Sequence, residues 1–342
     1  MNNQKQNAWL GLLLCAAVIC LTAVSGPENQ RKPIRPELPG DVVMEKQEIG
    51  IPVILPEAEH KLTDEPPAST AFLGGGRITL LANQTDSQML SAVLETPEGS
   101  IIVVDGGTPG DKDHLLETLR SKGGHVSAWL VTHPHADHIG ALNEILNDPA
   151  SGITIDGLYY RLADLKWYYS SESYRADMVA RFMETLSKQP EEMLHGDITK
   201  NQKIYVDNTE ITVMNEPYLF PRNSINNSSV AYTIKMNGKY IVFLGDMGEE
   251  AGDRLVKDYG SDNMYCDILQ MAHHGQYGVS ESVYRILHPK ICLWPTPGWL
   301  WDNDNGGGPG SGKWFTESTR EWMRRIGVQK NYVIKDGDQI VE

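Results

Sequence analysis

Cysteine is scarce in this chain: Cys15, Cys20, Cys266 and Cys292 are the only four among 342 residues, and none sits in a CxxC spacing. A fold stapled by disulfides is thereby excluded. Cationic side chains are also in short supply, 30 Lys and Arg against 45 Asp and Glu, for a formal net charge of -15. Such a field repels polyanions, so nucleic acid is not a partner by bulk electrostatic capture, and only a local basic patch would hold it. There is no internal repeat. The longest apolar run, Ala8 to Ala23, falls short of the roughly 20 residues a membrane span takes.

That run, with Lys5 before it and Ala23-Val-Ser25 after it, has the parts of an export signal: a positive start, an apolar middle and small residues for cleavage. Residues 1–25 are therefore expected to be a signal peptide or, uncleaved, an N-terminal anchor, and the protein to be secreted or extracytoplasmic. Residues 26–70 hold eight prolines and little apolar periodicity, which describes an extended linker. The folded domain is expected over 71–342. Its two cysteines, Cys266 and Cys292, are either one disulfide or two buried thiols.

Within that domain short β-rich runs alternate with amphipathic ones. Strands are expected at Arg77–Ala82, Ser91–Thr96, Ile101–Asp105, Val126–Thr132, Val230–Met236, Lys239–Leu244, Cys266–Met271 and Lys290–Leu293. Hairpins are expected from Lys203–Tyr205 to Ile211–Met214 and from Tyr332–Ile334 to Gln339–Val341. Helices are expected at Asp111–Lys122, Asp137–Leu146, Glu172–Ser187, Glu249–Tyr259, Glu281–Leu287 and Glu317–Ile326. Two groups of strands with helices outside imply an α/β fold, a four-layer αββα sandwich.

The chemistry concentrates in His133-Pro-His135-Ala-Asp137-His138. Three imidazoles and a carboxylate within six residues suit zinc or another borderline divalent metal, with manganese the alternative. Extended geometry sends His133 and His135 to one side of the chain, while Asp137 and His138, at a helix start, face a second ion.

This HxHxDH run after a strand resembles the signature of the metallo-β-lactamase superfamily, and the resemblance extends over about residues 76–342. It implies that Asp105, closing Ile-Ile-Val-Val-Asp, orients ligands. It also implies that Asp246, in Leu-Gly-Asp, bridges two metals, and that one of His273 and His274 is a terminal ligand. His274 is preferred, leaving His273 to touch substrate or protonate the leaving oxygen. His195 is the one candidate for a further ligand; otherwise it is a surface histidine. More narrowly, Asn226-Asn-Ser-Ser-Val, Leu244-Gly-Asp246 and His273-His-Gly resemble the branch with the hydrolase domain of DNA-uptake proteins and the teichoic-acid choline-phosphate esterases. That branch implies cleavage of a small-molecule or cell-envelope phosphoester, although its His-His-Gly is usually followed by Ser and here by Gln276.

The expected site therefore has His133 and His135 on one divalent ion, Asp137, His138 and His274 on the other, and Asp246 between them. Asp137 and His273 also serve catalysis, and Asn226 or Asn227 donates a hydrogen bond to the developing oxyanion. Carbon-ester or amide hydrolysis and non-catalytic glycan or choline binding are the alternatives. Two aromatic stretches, Tyr159 to Tyr169 and Trp294 to Trp301, either contact substrate or pack the lip of the sandwich.

Overall fold

The computed structural model describes residues 72–342. The expected export segment and linker, with Cys15, Cys20 and His60, lie outside the described residues. The first half runs β1 (Arg77–Leu80), β2 (Ser91–Glu95), β3 (Ile101–Asp105), α1 (Lys112–Ser121), β4 (His125–Val126), β5 (Ala128–Leu130) and α2 (Ala136–Leu146). It continues with β6 (Thr154–Ile155), β7 (Leu158–Tyr159), α3 (Leu165–Ser171), α4 (Ser173–Leu186) and β8 (Leu194–His195). The second half begins with β9 (Lys203–Val206), β10 (Thr209–Val213), α5 (Ser224–Asn227), β11 (Tyr232–Met236), β12 (Lys239–Phe243) and α6 (Glu249–Tyr259). It ends with β13 (Ile268–Gln270), α7 (Glu281–Leu287), β14 (Ile291–Trp294), α8 (Gly298–Trp301), α9 (Thr316–Ile326), β15 (Lys330–Val333) and β16 (Gln339–Val341).

Two seven-stranded sheets form, in the orders β16-β1-β2-β3-β5-β7-β8 and β15-β14-β13-β12-β11-β10-β9. Strand alternation explains the layers. In β3, Ile102 and Val104 face the other sheet and meet Ile211, Ile234 and Phe243 in the central core, whereas Ile101 and Val103 face outward onto Leu115, Leu119 and Leu142 of α1 and α2. On the second sheet, Val242, Leu269 and Cys292 face outward onto Leu255, Val283 and Met323 of α6, α7 and α9. Every residue of β3 is therefore buried, as a strand covered on both faces must be. The result is the expected four-layer αββα sandwich. Among the described residues no helix is long and apolar enough to cross a membrane.

Two expectations need correction. The closing hairpin does not form: β15 pairs parallel with β14 in the second sheet, while β16 pairs antiparallel with β1 in the first. The short connection through Ile334–Asp336 thus carries the chain from one sheet to the other instead of turning it back. The strand expected at Val126–Thr132 is broken. His125–Val126 pairs with β6 in a separate two-stranded ribbon, and only Ala128–Leu130 joins β3 and β7 in the main sheet.

Candidate metal centre

Three chain segments leave the ends of interior strands to build the site. After β5 the backbone stays extended through His135, which caps α2 with φ -82 and ψ 151, so that Asp137 and His138 enter on the first turn. After β12, Gly245 adopts φ +58, and a Cβ there would lie 2.8 Å from the Thr132 side chain and 2.9 Å from Ser229 Oγ. Only glycine permits this close crossing, and it delivers Asp246 beside the histidines. After β13, His273 and His274 both take left-handed backbone angles, φ 50 and 53, a strain that marks a constrained site.

The donor atoms converge. His133 Nε2 is 3.1 Å from His135 Nδ1, and His138 Nε2 is 3.3 Å from His274 Nε2. Asp246 lies between the groups, Oδ1 at 3.2 Å from His138 Nε2 and Oδ2 at 3.2 Å from His274 Nε2 and 3.9 Å from His133 Nε2. Asp137 Oδ2 is 3.2 Å from His274 Nε2. Two sets result: Asp137, His138, Asp246 and His274, and His133, His135 and Asp246.

This donor set fits divalent metal. A tetrahedron with bonds of roughly 2.0–2.1 Å has edges of about 3.3 Å, and the imidazole nitrogens, 3.1 and 3.3 Å apart in the two pairs, stand at that spacing. Asp246 Oδ1 is buried with no hydrogen-bond partner among the described residues, which is costly unless a cation satisfies it.

The opposite ring nitrogens are tied down. His138 Nδ1 donates to Asp105 Oδ2 over 2.7 Å, and Thr132 donates its hydroxyl to the same oxygen over 2.6 Å and its amide to Oδ1 over 2.8 Å. The Thr132 oxygen, its own proton committed, accepts from His133 Nδ1 at 3.1 Å. Asp105 therefore orients two ligands, one directly and one through Thr132. His274 Nδ1 donates to the carbonyl of Pro295 at 3.0 Å. Gln270, on β13, accepts from the amides of Leu244 and Gly245 and donates to the carbonyls of Gly245 and Met271. It staples the Asp246 loop to the His274 loop.

Electrostatics follow from burying carboxylates among imidazoles. Burial alone would neutralise His138 and His274, but Asp246 with Asp105 outweighs it for the first, raised well above its ordinary value, and Asp246 with Asp137 for the second, raised to about 9. Burial lowers His133, and with Arg175 it takes His135 down to about 3. Asp246 is held well below the usual carboxylate range by His274 and His138 in spite of its burial. Burial also lowers His273.

The centre forms the floor of a cleft of about 600 Å³ that Gln88, His135, Asp137, Tyr174, Arg175, Asn226, Asp246, His273 and Trp299 help to line. A larger cavity, about 800 Å³, lies over the polar outer face of β9–β12 and holds none of these residues. It lacks a converging donor set, so the chemistry belongs to the smaller cleft. His273 faces the cleft, its Nε2 accepting from Asn226 Nδ2 at 3.2 Å and its Nδ1 donating to the Tyr277 carbonyl at 3.2 Å. Gln276, where the resembled branch has serine, donates to Gln88, whose amide reaches Asp137 Oδ2 at 3.3 Å.

Asn227 is corrected. It turns away from the cleft, donating to Arg222 O and Glu250 Oε2 and accepting from the Gly248 amide, because the turn of α5 points consecutive side chains in different directions. Asn226 does reach the cleft, but both amide hydrogens are committed, to Asn223 Oδ1 and to His273 Nε2. Neither asparagine offers the expected oxyanion a free donor. His195 lies in β8 outside both donor sets, stacked on Tyr159 with centroids 4.4 Å apart. Cys266 and Cys292 are free and buried. Of the aromatic stretches, Trp299 lines the cleft, whereas Tyr168 and Trp294 are core residues. Arg175, Glu172 and Gln270 had no signal in the sequence: each acts through a contact with a distant segment.

Such a fold and donor set define a metallohydrolase. A sequence profile described as the Metallo-beta-lactamase superfamily matches residues 85–288, and the chain belongs to that superfamily, whose fold implies divalent metal ions. Among solved structures, it is similar to the metallo-beta-lactamase fold protein YhfI from Bacillus subtilis, at 12% identity over 78% of this chain and 98% of that one, TM-score 0.49. It is also similar to CmlA, a diiron beta-hydroxylase from Streptomyces venezuelae, at 10% identity over 78% of this chain and 54% of that one, TM-score 0.49. A diphosphatase from the PhnP family is similar at 15% identity over 64% of this chain and 85% of that one, TM-score 0.37.

Proposed function

We propose that this metallohydrolase is an exported phosphoesterase that works with two zinc ions on a phosphoester outside the cytoplasm. The observation that carries the reading is the sharing of Asp246 by two donor sets at the floor of one cleft, the arrangement suited to displacement at a phosphoryl group. The motifs around Asn226, Asp246 and His273, similar to those of the phosphoester-cleaving branch, support the substrate class. Ala8 to Ala23 support export.

His133, His135 and Asp246 would hold one ion, and Asp137, His138, His274 and Asp246 the other. When bound, the pair supplies Lewis acidity that activates water near neutral pH and stabilises negative charge. The chain's own residues do the rest. Asp105 and Thr132 fix the imidazoles, Gln270 fixes the two loops, and the Asn226 amide holds the His273 ring with Nε2 toward the cleft. From there His273 accepts a hydrogen bond, so its entry into catalysis as a proton donor requires that it first take up a proton.

The test is metal content by elemental analysis together with turnover of bis-p-nitrophenyl phosphate and of a chromogenic β-lactam, on the full chain and on His135→Ala. Two metals per chain with phosphodiester turnover, both reduced in the variant, is the expected result. Turnover of the β-lactam alone would overturn the substrate class.

A further inference from the structure

We infer that Arg175 is the residue that recognises the anionic group of the substrate, and that metal binding at His135 frees it to do so. Its place in the cleft supports the first part. Among the described residues lining the cleft, Arg175 is the only Lys or Arg, in a protein whose net charge is -15. It sits on α4, half-buried, its guanidinium carbon 5.4 Å from the Tyr174 ring centroid. A guanidinium carries five N–H donors and no acceptor, yet Arg175 makes one side-chain hydrogen bond among the described residues, from Nη1 to His135 Nε2 at 2.6 Å. Its nearest carboxylate, Glu172 Oε2, is 4.0 Å from Nε. Most of its donors are unspent, and Arg175 lines the same cleft as the shared Asp246.

Proton bookkeeping supports the second part. His135 faces His133 through Nδ1, at 3.1 Å, and that nitrogen belongs to the donor set. A neutral ring whose Nδ1 lone pair is given to a metal carries its single proton on Nε2. Nε2 then cannot accept, and two N–H groups cannot hydrogen-bond to each other, so the Arg175 contact ends. An acceptor for the new N–H is already at hand: Glu172 Oε2 lies 3.9 Å from His135 Nε2, and Glu172 is held in place by the Ile225 amide donating to its Oε1 over 3.0 Å. The released guanidinium keeps its position at the mouth of the centre, where its planar fork matches two oxygens of a phosphoryl group.

The inference rests on the metallohydrolase reading and deepens the phosphoester one. Its test is equilibrium binding of inorganic phosphate, and separately of acetate, to the zinc-loaded full chain by calorimetry, for wild type, Arg175→Ala and Arg181→Ala, with zinc content measured in each. Arg181→Ala removes the same charge from an exposed position on the same helix. The expected result is a roughly ten- to hundredfold weaker phosphate affinity in Arg175→Ala, unchanged zinc content, and a change of less than about twofold in Arg181→Ala. Equal phosphate and acetate binding by wild type and Arg175→Ala would overturn the inference, as would loss of zinc from Arg175→Ala, which would make the arginine a support for the ligand. An Arg175 effect on acetate alone would uphold the anion site and overturn the phosphoester reading; absence of zinc from wild type would overturn both.

Discussion

His138 and Asp105 form a fully buried imidazole–carboxylate pair, Nδ1 donating to Oδ2 over 2.7 Å. The contact fixes both the tautomer and the direction of His138, so that Nε2 points at the donor set. Asp105→Asn keeps the shape and can still accept from the Thr132 amide, but it presents an N–H to the His138 N–H. Metal affinity is expected to fall roughly ten- to hundredfold with the fold retained. Competition with a chelator of known affinity reads the first quantity and circular dichroism the second. Unchanged affinity would mean that the other partners of His138 suffice to orient it.

Gln270 makes a second, different claim. Its amide serves four buried backbone groups, the N–H of Leu244 and Gly245 and the carbonyls of Gly245 and Met271. Gln270→Leu fills the space and leaves those groups unpaired in a water-free position, at a cost of roughly 3–5 kcal/mol. Guanidinium unfolding followed by tryptophan fluorescence measures it. A loss below about 1 kcal/mol would show that water or a shifted loop replaces the amide.

How much of this was legible beforehand depends on how local each signal is. His133 to His138 are contiguous, so their chemistry could be read directly. Asp105 and Asp246 follow apolar strands, and a strand end announces itself. Helices α6 and α7 fall where expected, Glu249–Tyr259 and Glu281–Leu287, because each begins on a glutamate and carries a clear apolar stripe. The illegible parts are those whose partners are far away in sequence. Val333 and Gln339 lie on strands that read as a hairpin by spacing, yet they join different sheets because the edges they complete were laid down by β14 and β1. Gln270 looks like a polar slip in an apolar strand until the loop after β12 is seen to cross it. Arg175 looks like an ordinary helix-surface charge, as its meaning comes from His135, forty positions away.

The two thiols supply a pH test remote from the cleft. Burial raises Cys292 far above its ordinary value of 9.0, and Cys266 likewise, with Cys292 and Asp267 adding to the shift. A raised folded-state pKa means that the folded protein keeps a proton the unfolded chain gives up. The stabilisation is thus complete below about pH 9 and is lost as pH rises beyond it. Cys292→Ala is expected to melt lower near neutral pH, from the lost packing, but with a shallower decline between pH 9 and 10.5 than wild type. Alkylation with peptide mapping gives the companion result: Cys266 and Cys292 unmodified in the native protein and modified in guanidinium. Parallel melting curves would remove burial of the thiol as the cause.

Asp246 ties metal to stability. Its carboxylate belongs to both donor sets, and its Oδ1 has no hydrogen-bond partner among the described residues, so the folded chain gains from a cation there that the unfolded chain cannot hold in the same way. At a metal concentration of 100 Kd this linkage contributes about 2.7 kcal/mol for each ion held, so two ions correspond, in a domain of this size, to a melting shift on the order of 10 °C. Chelation is therefore expected to lower the melting temperature of wild type by that order. In Asp246→Ala, where both sets lose a member, chelation should change it little. In His135→Ala one set keeps all four of its donors, so about half the shift should remain, with one metal per chain. Scanning calorimetry with and without chelator separates these cases. A wild-type protein that melts at the same temperature in both would show that the donor sets hold no metal that matters to the fold.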